Sequence, residues 1–368
     1  MNVPFTDLAI QYKMIKPEID KAISEVFDSG YFIGGKPVKE FEHDFATLCK
    51  IKNCVAIGNG TDGLFLSLKA LGIGSGDEVI TPAWSWISTS EVITLAGAKP
   101  VFADVDLDYF TITEEHIKSK ITSRTKAVIV VHLYGQVADM NSIKSLCDRA
   151  NLFLIEDCSQ AHLSSQSGLI AGTTSDCGVF SFYPTKNLGA FGDAGCVITN
   201  QDLLAEKIRR FANHGGLSKD DHLIEGFNSR MDTIQAAILN VKLKYIKDWN
   251  AKRIENAQLY FENLAAIESL SLPKLRNKVV HTFHQFVIRV EQRDELKFFL
   301  ESKGVQTLIH YPNALPYEPA YNYLSHSLND FPVSALLQNT VLSLPVSPEI
   351  SQEQILYVCH MIKSFYDE

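Results

Sequence analysis

Short apolar runs alternate along this chain with stretches whose apolar positions recur every three or four residues. The runs predict strands at Cys54–Ile57, Glu78–Pro82, Pro100–Val105, Ala127–Leu133 and Leu152–Asp157. The spaced stretches predict helices at Lys16–Ser29, Lys36–Cys49, Leu64–Leu71, Ile87–Ala96, Thr113–Ser119 and Met140–Ala150. Strands that are apolar throughout, interleaved with helices, predict an α/β domain whose mostly parallel sheet is covered on both faces. Two further strands, Val179–Tyr183 and Cys196–Thr199, and a helix at Leu203–Ala212 extend it. Ser229 to about Ile267 reads as one long helix. After Pro273 the pattern changes to a strand (Phe283–Val290), a helix (Arg293–Lys303), a strand (Val305–His310) and a closing helix (Ser351–Tyr366). That predicts a large domain over residues 1–245 and a smaller α+β domain over 246–368.

Composition narrows the class. The 368 residues are 46% apolar and 21% charged, ordinary for a soluble globular chain. A net charge of −9 argues against a nucleic-acid surface. The seven cysteines form no C-x-x-C pair, so they read as small core residues in a reducing compartment. Neither a signal peptide nor a bilayer-length apolar run is present, and a cytoplasmic location is expected. The lysines from Lys242 to Lys247 alternate with apolar residues and read as the solvated face of a helix.

Candidate chemistry gathers at the predicted strand ends. Pro184 ends the strand Val179–Tyr183, and Lys186 follows in a loop with glycines at 189, 192 and 195. A lysine held there and desolvated becomes a nucleophile for Schiff-base chemistry. By itself the stretch equally describes a surface lysine. Gly58 to Gly63 fits G-x-G-x-x-G between a strand and a helix, but no acid ends the next strand, which disfavours a nicotinamide site. What remains is a helix N-terminus able to hold a phosphate, or a plain turn. Asp104, Asp106, Asp108 and Glu115 have the spacing of a calcium loop, but Tyr109 stands where glycine is required. They read as solvated carboxylates, with no metal. Glu156 and Asp157 point to opposite faces at the end of their strand, so one of them reaches the ligand edge of the sheet. Trp84 and Trp86 follow another strand end. Phosphate cradle, flat aromatic, carboxylate and lysine together fit pyridoxal phosphate.

These stretches, together with H-L-Y-G-Q (132–136), I-E-D-C-S-Q-A-H (155–162), S-F-Y-P-T-K-N-L-G-A-F-G-D-A-G (181–195), N-S-R-M-D-T-I-Q-A-A (228–237) and H-Y-P (310–312), resemble the DegT/DnrJ/EryC1/StrS sugar aminotransferases, within fold-type I of the pyridoxal-phosphate enzymes. The resemblance implies a Schiff base on Lys186 and a pyridine nitrogen held by Asp157. It implies Gln160 on the phenolic oxygen, and Trp86, in preference to Trp84, stacked on the ring. Thr61, Ser181 and the amides of Gly60 and Asp62 would hold the phosphate, with Asn228 arriving from the second subunit of a homodimer. Tyr183, His310 and Tyr311 fall near the sugar nucleotide. The implied reaction carries an amino group from glutamate to a nucleotide-linked keto-sugar, most like a dTDP-3-keto-6-deoxyhexose. UDP-linked 3-keto-2-acetamido sugars and 4-keto sugars are the alternatives. The product would serve a surface glycan such as lipopolysaccharide O-antigen, or a glycosylated metabolite. Thr185 stands where such members often have glycine, and Leu163-Ser164 replaces a usual Gly-Ala. Lys186 separates the chain from dehydratases of the same fold, which carry histidine there; a non-catalytic regulator is the remaining reading.

Overall fold

Seven of the apolar runs pair into one sheet in the computed structural model, which describes residues 1–367. The strands are β1 (Asn53–Ile57), β2 (Glu78–Pro82), β3 (Lys99–Ala103), β4 (Thr125–Val131), β5 (Phe153–Asp157), β6 (Cys177–Ser181) and β7 (Gly195–Thr199). Their spatial order is β1-β7-β6-β5-β4-β2-β3. Only β7 runs against its neighbours; the other pairings are parallel. The ends of β1, β2, β4, β5 and β6 therefore open on one edge.

Helices α1 (Leu8–Ser29), α2 (Gly35–Cys49), α3 (Gly60–Ala70), α4 (Ser88–Leu95), α5 (Glu114–Lys118), α6 (Met140–Ala150) and α7 (Asp202–Ala212) surround the sheet. Side chains alternate along a strand, so the two faces of β4 feed two cores. Val128 and Val130 join Phe41, Phe45 and Ile143 from α2 and α6. Ala127 and Ile129 join Leu64, Val92 and Ile208 from α3, α4 and α7. Phe182 anchors the start of the lysine loop in the first core, edge-on to Phe41 (centroids 5.2 Å apart) and Phe45 (5.4 Å). Such pairs contribute about 0.5–1.5 kcal/mol beyond area burial.

The expected long helix is two. α8 (Thr233–Lys242) ends in a tight turn through Leu243–Tyr245, where the Lys244 amide reaches back to Val241 and the Tyr245 amide to Lys242, and α9 (Ile246–Leu264) restarts. α9 packs on the second sheet: β8 (Leu270–Ser271), β9 (Phe286–Val290) and β10 (Val341–Leu344), in that order and antiparallel. α10 (Arg293–Ser302), α11 (Pro332–Thr340) and α12 (Gln352–Asp367) complete this part. The expected strand at Val305–His310 makes only isolated bridges, Val3 to Val305 and Leu308 to Ser343. The third strand is β10, which follows α11 without a breaker residue. Val3 lies in the core around β9.

All seven cysteines are free and buried. Asp104 accepts from the Val333 and Ser334 amides at the start of α11, and Asp106 from the amides of Asp108 and Tyr109, so these carboxylates cap backbone. No described helix is long and apolar enough to cross a membrane.

Candidate active site

Of the predicted residues, Gly60, Thr61, Trp86, Asp157, Ser181 and Lys186 follow or end strands on the shared sheet edge. Lys186 follows β6 in a loop tied at both ends, by the Phe182 amide to the Ala194 carbonyl (2.8 Å) and by the Ala190 amide to the Phe182 carbonyl (2.7 Å). Crowding around its amine pulls its pKa down to about 8, although the nearby Asp157 carboxylate favours the ammonium. Asp157 is buried at the end of β5, and its Oδ1 accepts from the Ser159 amide at 3.0 Å. Asn187 fastens the loop from below. Its Nδ2 donates to Asn250 Oδ1 (2.9 Å) and the Thr282 carbonyl (3.0 Å), so its Oδ1 is the acceptor for His284 Nδ1 (3.1 Å).

α3 begins beside this loop. Asn59 caps it by accepting from the Asp62 amide (2.8 Å). The Asp62 amide is thereby committed to the cap, and the first-turn donors left among the described residues are those of Gly60 and Thr61. The Asp62 carboxylate turns away too, accepting from Ser229 Oγ at 2.6 Å, while that hydroxyl accepts from the Gly58 amide at 3.1 Å. Thr61 and Ser88 hydroxyls meet at 2.8 Å. Two glycines make the cradle close. A Cβ on Gly60 would stand 2.7 Å from Ser181 Cβ, and one on Gly195 would stand 2.5 Å from the Asn59 carbonyl carbon. Ser181 thus lies against the helix terminus.

The two tryptophans differ in burial. Trp84 is fully buried, with its indole donating to Tyr134 Oη at 2.9 Å, while Trp86 is 59% exposed and can cover a ligand face. Tyr311 lies near both rings. Gln160 accepts from the Tyr134 amide (2.7 Å) and donates to Tyr311 Oη (2.8 Å), which brings Tyr311 to the place where a ring oxygen would be met. Tyr183 is exposed beside the lysine, and His310 bonds Ser343 Oγ through Nδ1 at 2.8 Å. Burial lowers the His310 pKa to about 4, keeping the ring neutral. Asn228 is exposed, with Oδ1 2.5 Å from an Arg230 nitrogen, and the sheet edge of its own chain gives it no part in the cradle.

The sequence reading missed the supporting roles of three residues. Lys242 is buried, not on a solvated face; its amine donates to the Gly189 carbonyl (2.7 Å) and sits 4.4 Å from the Phe191 ring centroid. Its spacing from the buried Ile238, Leu239 and Ile246 was the available signal. Glu156 and His132 are also buried, bonded at 2.7 Å. The Ala138 amide donates to His132 Nδ1, so Nε2 carries the proton and donates to Glu156. Glu156 further accepts from the Gly172, Thr174 and Ser175 amides, which lead into β6. Burial favours its neutral acid, yet these donors hold its pKa below the usual value.

The donor set fits a flat phosphorylated pyridine: free first-turn amides and hydroxyls for the phosphate, Asp157 for the ring nitrogen, and a desolvated amine for the aldehyde.

Known proteins are similar to this chain over nearly its whole length. Residues 13–363 match the model of the DegT/DnrJ/EryC1/StrS aminotransferase family. A pleiotropic regulatory protein of Geobacillus stearothermophilus is 42% identical, covering 100% of this chain and 99% of its own. The dTDP-3-amino-3,4,6-trideoxy-alpha-D-glucose transaminase of Streptomyces venezuelae is 38% identical over 99% of this chain and 96% of its own. The crystal structure of S. venezuelae DesV in complex with a ketimine intermediate superposes with a TM-score of 0.98 at 38% identity, covering 100% of this chain and 99% of that one.

Proposed function

The chain belongs to the DegT/DnrJ/EryC1/StrS aminotransferase family, and we propose that its own reaction carries an amino group from glutamate to the keto carbon of a nucleotide-linked sugar, first among candidates a dTDP-3-keto-6-deoxyhexose. The observation that carries this reading is the desolvated Lys186 amine beside Asp157, on the edge that also presents the start of α3.

Pyridoxal phosphate, when bound, supplies an aldehyde that accepts the amino group and a ring that draws electrons from the adjacent carbon. The protein does the rest. With a pKa of about 8, Lys186 is neutral in about a tenth of molecules at pH 7, enough to attack a carbonyl and to move a proton between carbons. Asp157 would hold the ring nitrogen and favour its protonated form. Gly60 and Thr61 amides, with the Thr61 and Ser181 hydroxyls, would hold the phosphate. Trp86 would cover the ring with Tyr311 beside it, and Gln160 would meet its phenolic oxygen. Tyr183 would lie on the sugar side.

A second copy completes the cradle by supplying Asn228. The exposed apolar side chains Phe32, Ile33, Leu223, Ile224 and Phe227, near Asn228 or beside the start of α8, support a homodimer covering this surface.

Borohydride should abolish the visible absorbance of the loaded protein and leave a pyridoxyl label on the peptide containing Lys186, and a panel of dTDP- and UDP-linked 3-keto and 4-keto sugars with labelled glutamate should identify the acceptor. Label on a different lysine, or no transfer to any sugar of the panel, refutes the reading. A Lys186→Ala protein with full biological activity would instead favour a regulator.

A further inference from the structure

Arg253, on α9, is a buried cation without a counter-charge. It is 6% exposed, and its Nη1 donates only to the carbonyls of Phe283 (3.2 Å) and His284 (3.4 Å). Its Nε finds no acceptor. It forms no salt bridge among the described residues, and Glu349, the acid whose field reaches it, is bonded to Gln11. A buried guanidinium without an anion is costly unless something else brings the charge.

A cavity of about 80 Å³ lies against it. Thr185, Arg253, His284, Gln285, His310 and Ser347 line it. Gln285 is 8% exposed, and its Oε1 is also without a partner. His284 brings no charge: Asn187 Oδ1 requires the proton on Nδ1, leaving Nε2 to accept from Gln285 Nε2 at 3.4 Å. The pocket therefore holds one fixed cation and neutral polar groups, and it adjoins the residue immediately before Lys186. At about 30 Å³ per water it has room for a few waters or one carboxylate arm, and none for a nucleotide sugar.

We propose that this cavity is the subsite for a carboxylate of the amino donor, with Arg253 as its charged partner and Gln285 and the Thr185 hydroxyl as its polar ones. The assignment rests on the aminotransferase reading above. It separates the two substrates in space: the donor's acid group enters between α9 and the lysine loop, while the sugar lies on the side of Tyr183 and Trp86. A guanidinium matches a carboxylate with two parallel N–H donors.

Gln285→Glu tests it with the shape of the pocket kept, because it places a carboxylate beside Arg253. Charge-assisted hydrogen bonds of this kind correspond to roughly 10- to 100-fold in affinity. The glutamate concentration giving half-maximal amino transfer to the cofactor should rise by that factor, far more than the corresponding value for the keto-sugar. Glutarate, a dicarboxylate with no amino group to donate, should bind the cofactor-loaded wild type in a calorimeter and bind Gln285→Glu correspondingly less. Arg253→Lys, which keeps the charge and loses the planar fork, should give an intermediate loss. An unaltered glutarate affinity in folded Gln285→Glu, checked by its melting curve, overturns the subsite whatever the activity. If wild type binds glutarate with this sensitivity yet transfers no amino group, the subsite stands as a carboxylate site and the functional reading falls.

Discussion

Removing the reactive lysine should make the cofactor-free protein more stable at neutral pH. Lys186 has its pKa lowered from 10.5 to about 8, chiefly by burial. The unfolded chain then binds more protons than the folded one between those values, so stability rises with pH through that window. Below pH 8 the full cost is present, and above pH 10.5 it is gone. A shift of this size corresponds to roughly 3 kcal/mol. Methionine matches the length of the lysine stem and removes the amine. Lys186→Met should therefore gain up to about 3 kcal/mol at pH 7 over wild type, with the gain shrinking toward zero by about pH 10.5. Denaturant unfolding of both apo proteins at half-unit pH steps measures it, since groups common to the two cancel in the difference. A variant no more stable than wild type at pH 7, or a gain equal at pH 7 and 10.5, refutes the claim that the site holds its amine by desolvation.

Other outcomes follow from the same geometry. Gly60→Ala fills the cradle against Ser181, so cofactor affinity should drop more than 10-fold while the circular-dichroism spectrum is kept; overpacking of this kind corresponds to about 1–3 kcal/mol. Glu156→Gln leaves two of the four donors around it facing an amide nitrogen and, at about 1–3 kcal/mol for each buried donor left unpaired, should lose about 2–6 kcal/mol in denaturant unfolding. Because the Glu156 pKa lies below 4.5 in the folded chain, its contribution is full above pH 4.5 and fades as pH falls through the folded value, and the variant should lack that acid limb. Lys242→Met removes the tether on Gly189 and should weaken cofactor binding, read by equilibrium titration, with amino-transfer rates falling in parallel. Mixing Lys186→Ala with Asn228→Ala protein should restore up to about a quarter of wild-type activity if sites are shared between subunits, since only one of the two sites in a hybrid is whole and half the dimers are hybrids.

Much of this was legible in sequence because the sheet is buried on both faces, and its strands therefore stand out as unbroken apolar runs. Lys186 and Asp157 were legible for a related reason, being polar residues placed where such runs end. The break at Leu243–Tyr245 was not, since no proline or glycine marks it and the helical spacing resumes after one turn. β10 was missed because Val341–Leu344 continues the apolar texture of α11. Lys242 was misread because charge was weighed above position; its neighbours four residues to either side, Ile238 and Ile246, are both buried. The commitment of the Asp62 amide to Asn59 depends on a side-chain rotamer, which spacing alone does not encode.

The reversed strand β7 has a consequence for how this enzyme could be altered. A parallel successor to β6 would have carried the chain across the sheet through a crossover and away from the ligand edge. Reversal lets residues 182–194 stay on that edge throughout, so the segment is a closed hoop with the amine mounted on it. Insertions elsewhere on the rim would lengthen a loop and leave the anchor points alone. One residue added to or taken from the hoop between Phe182 and Lys186 would shift the amine relative to the α3 terminus, because Gly195 is wedged against Asn59 and cannot yield. Length in this segment should therefore be the least negotiable dimension of the protein, while side chains facing the sugar, Tyr183 among them, stay open to change.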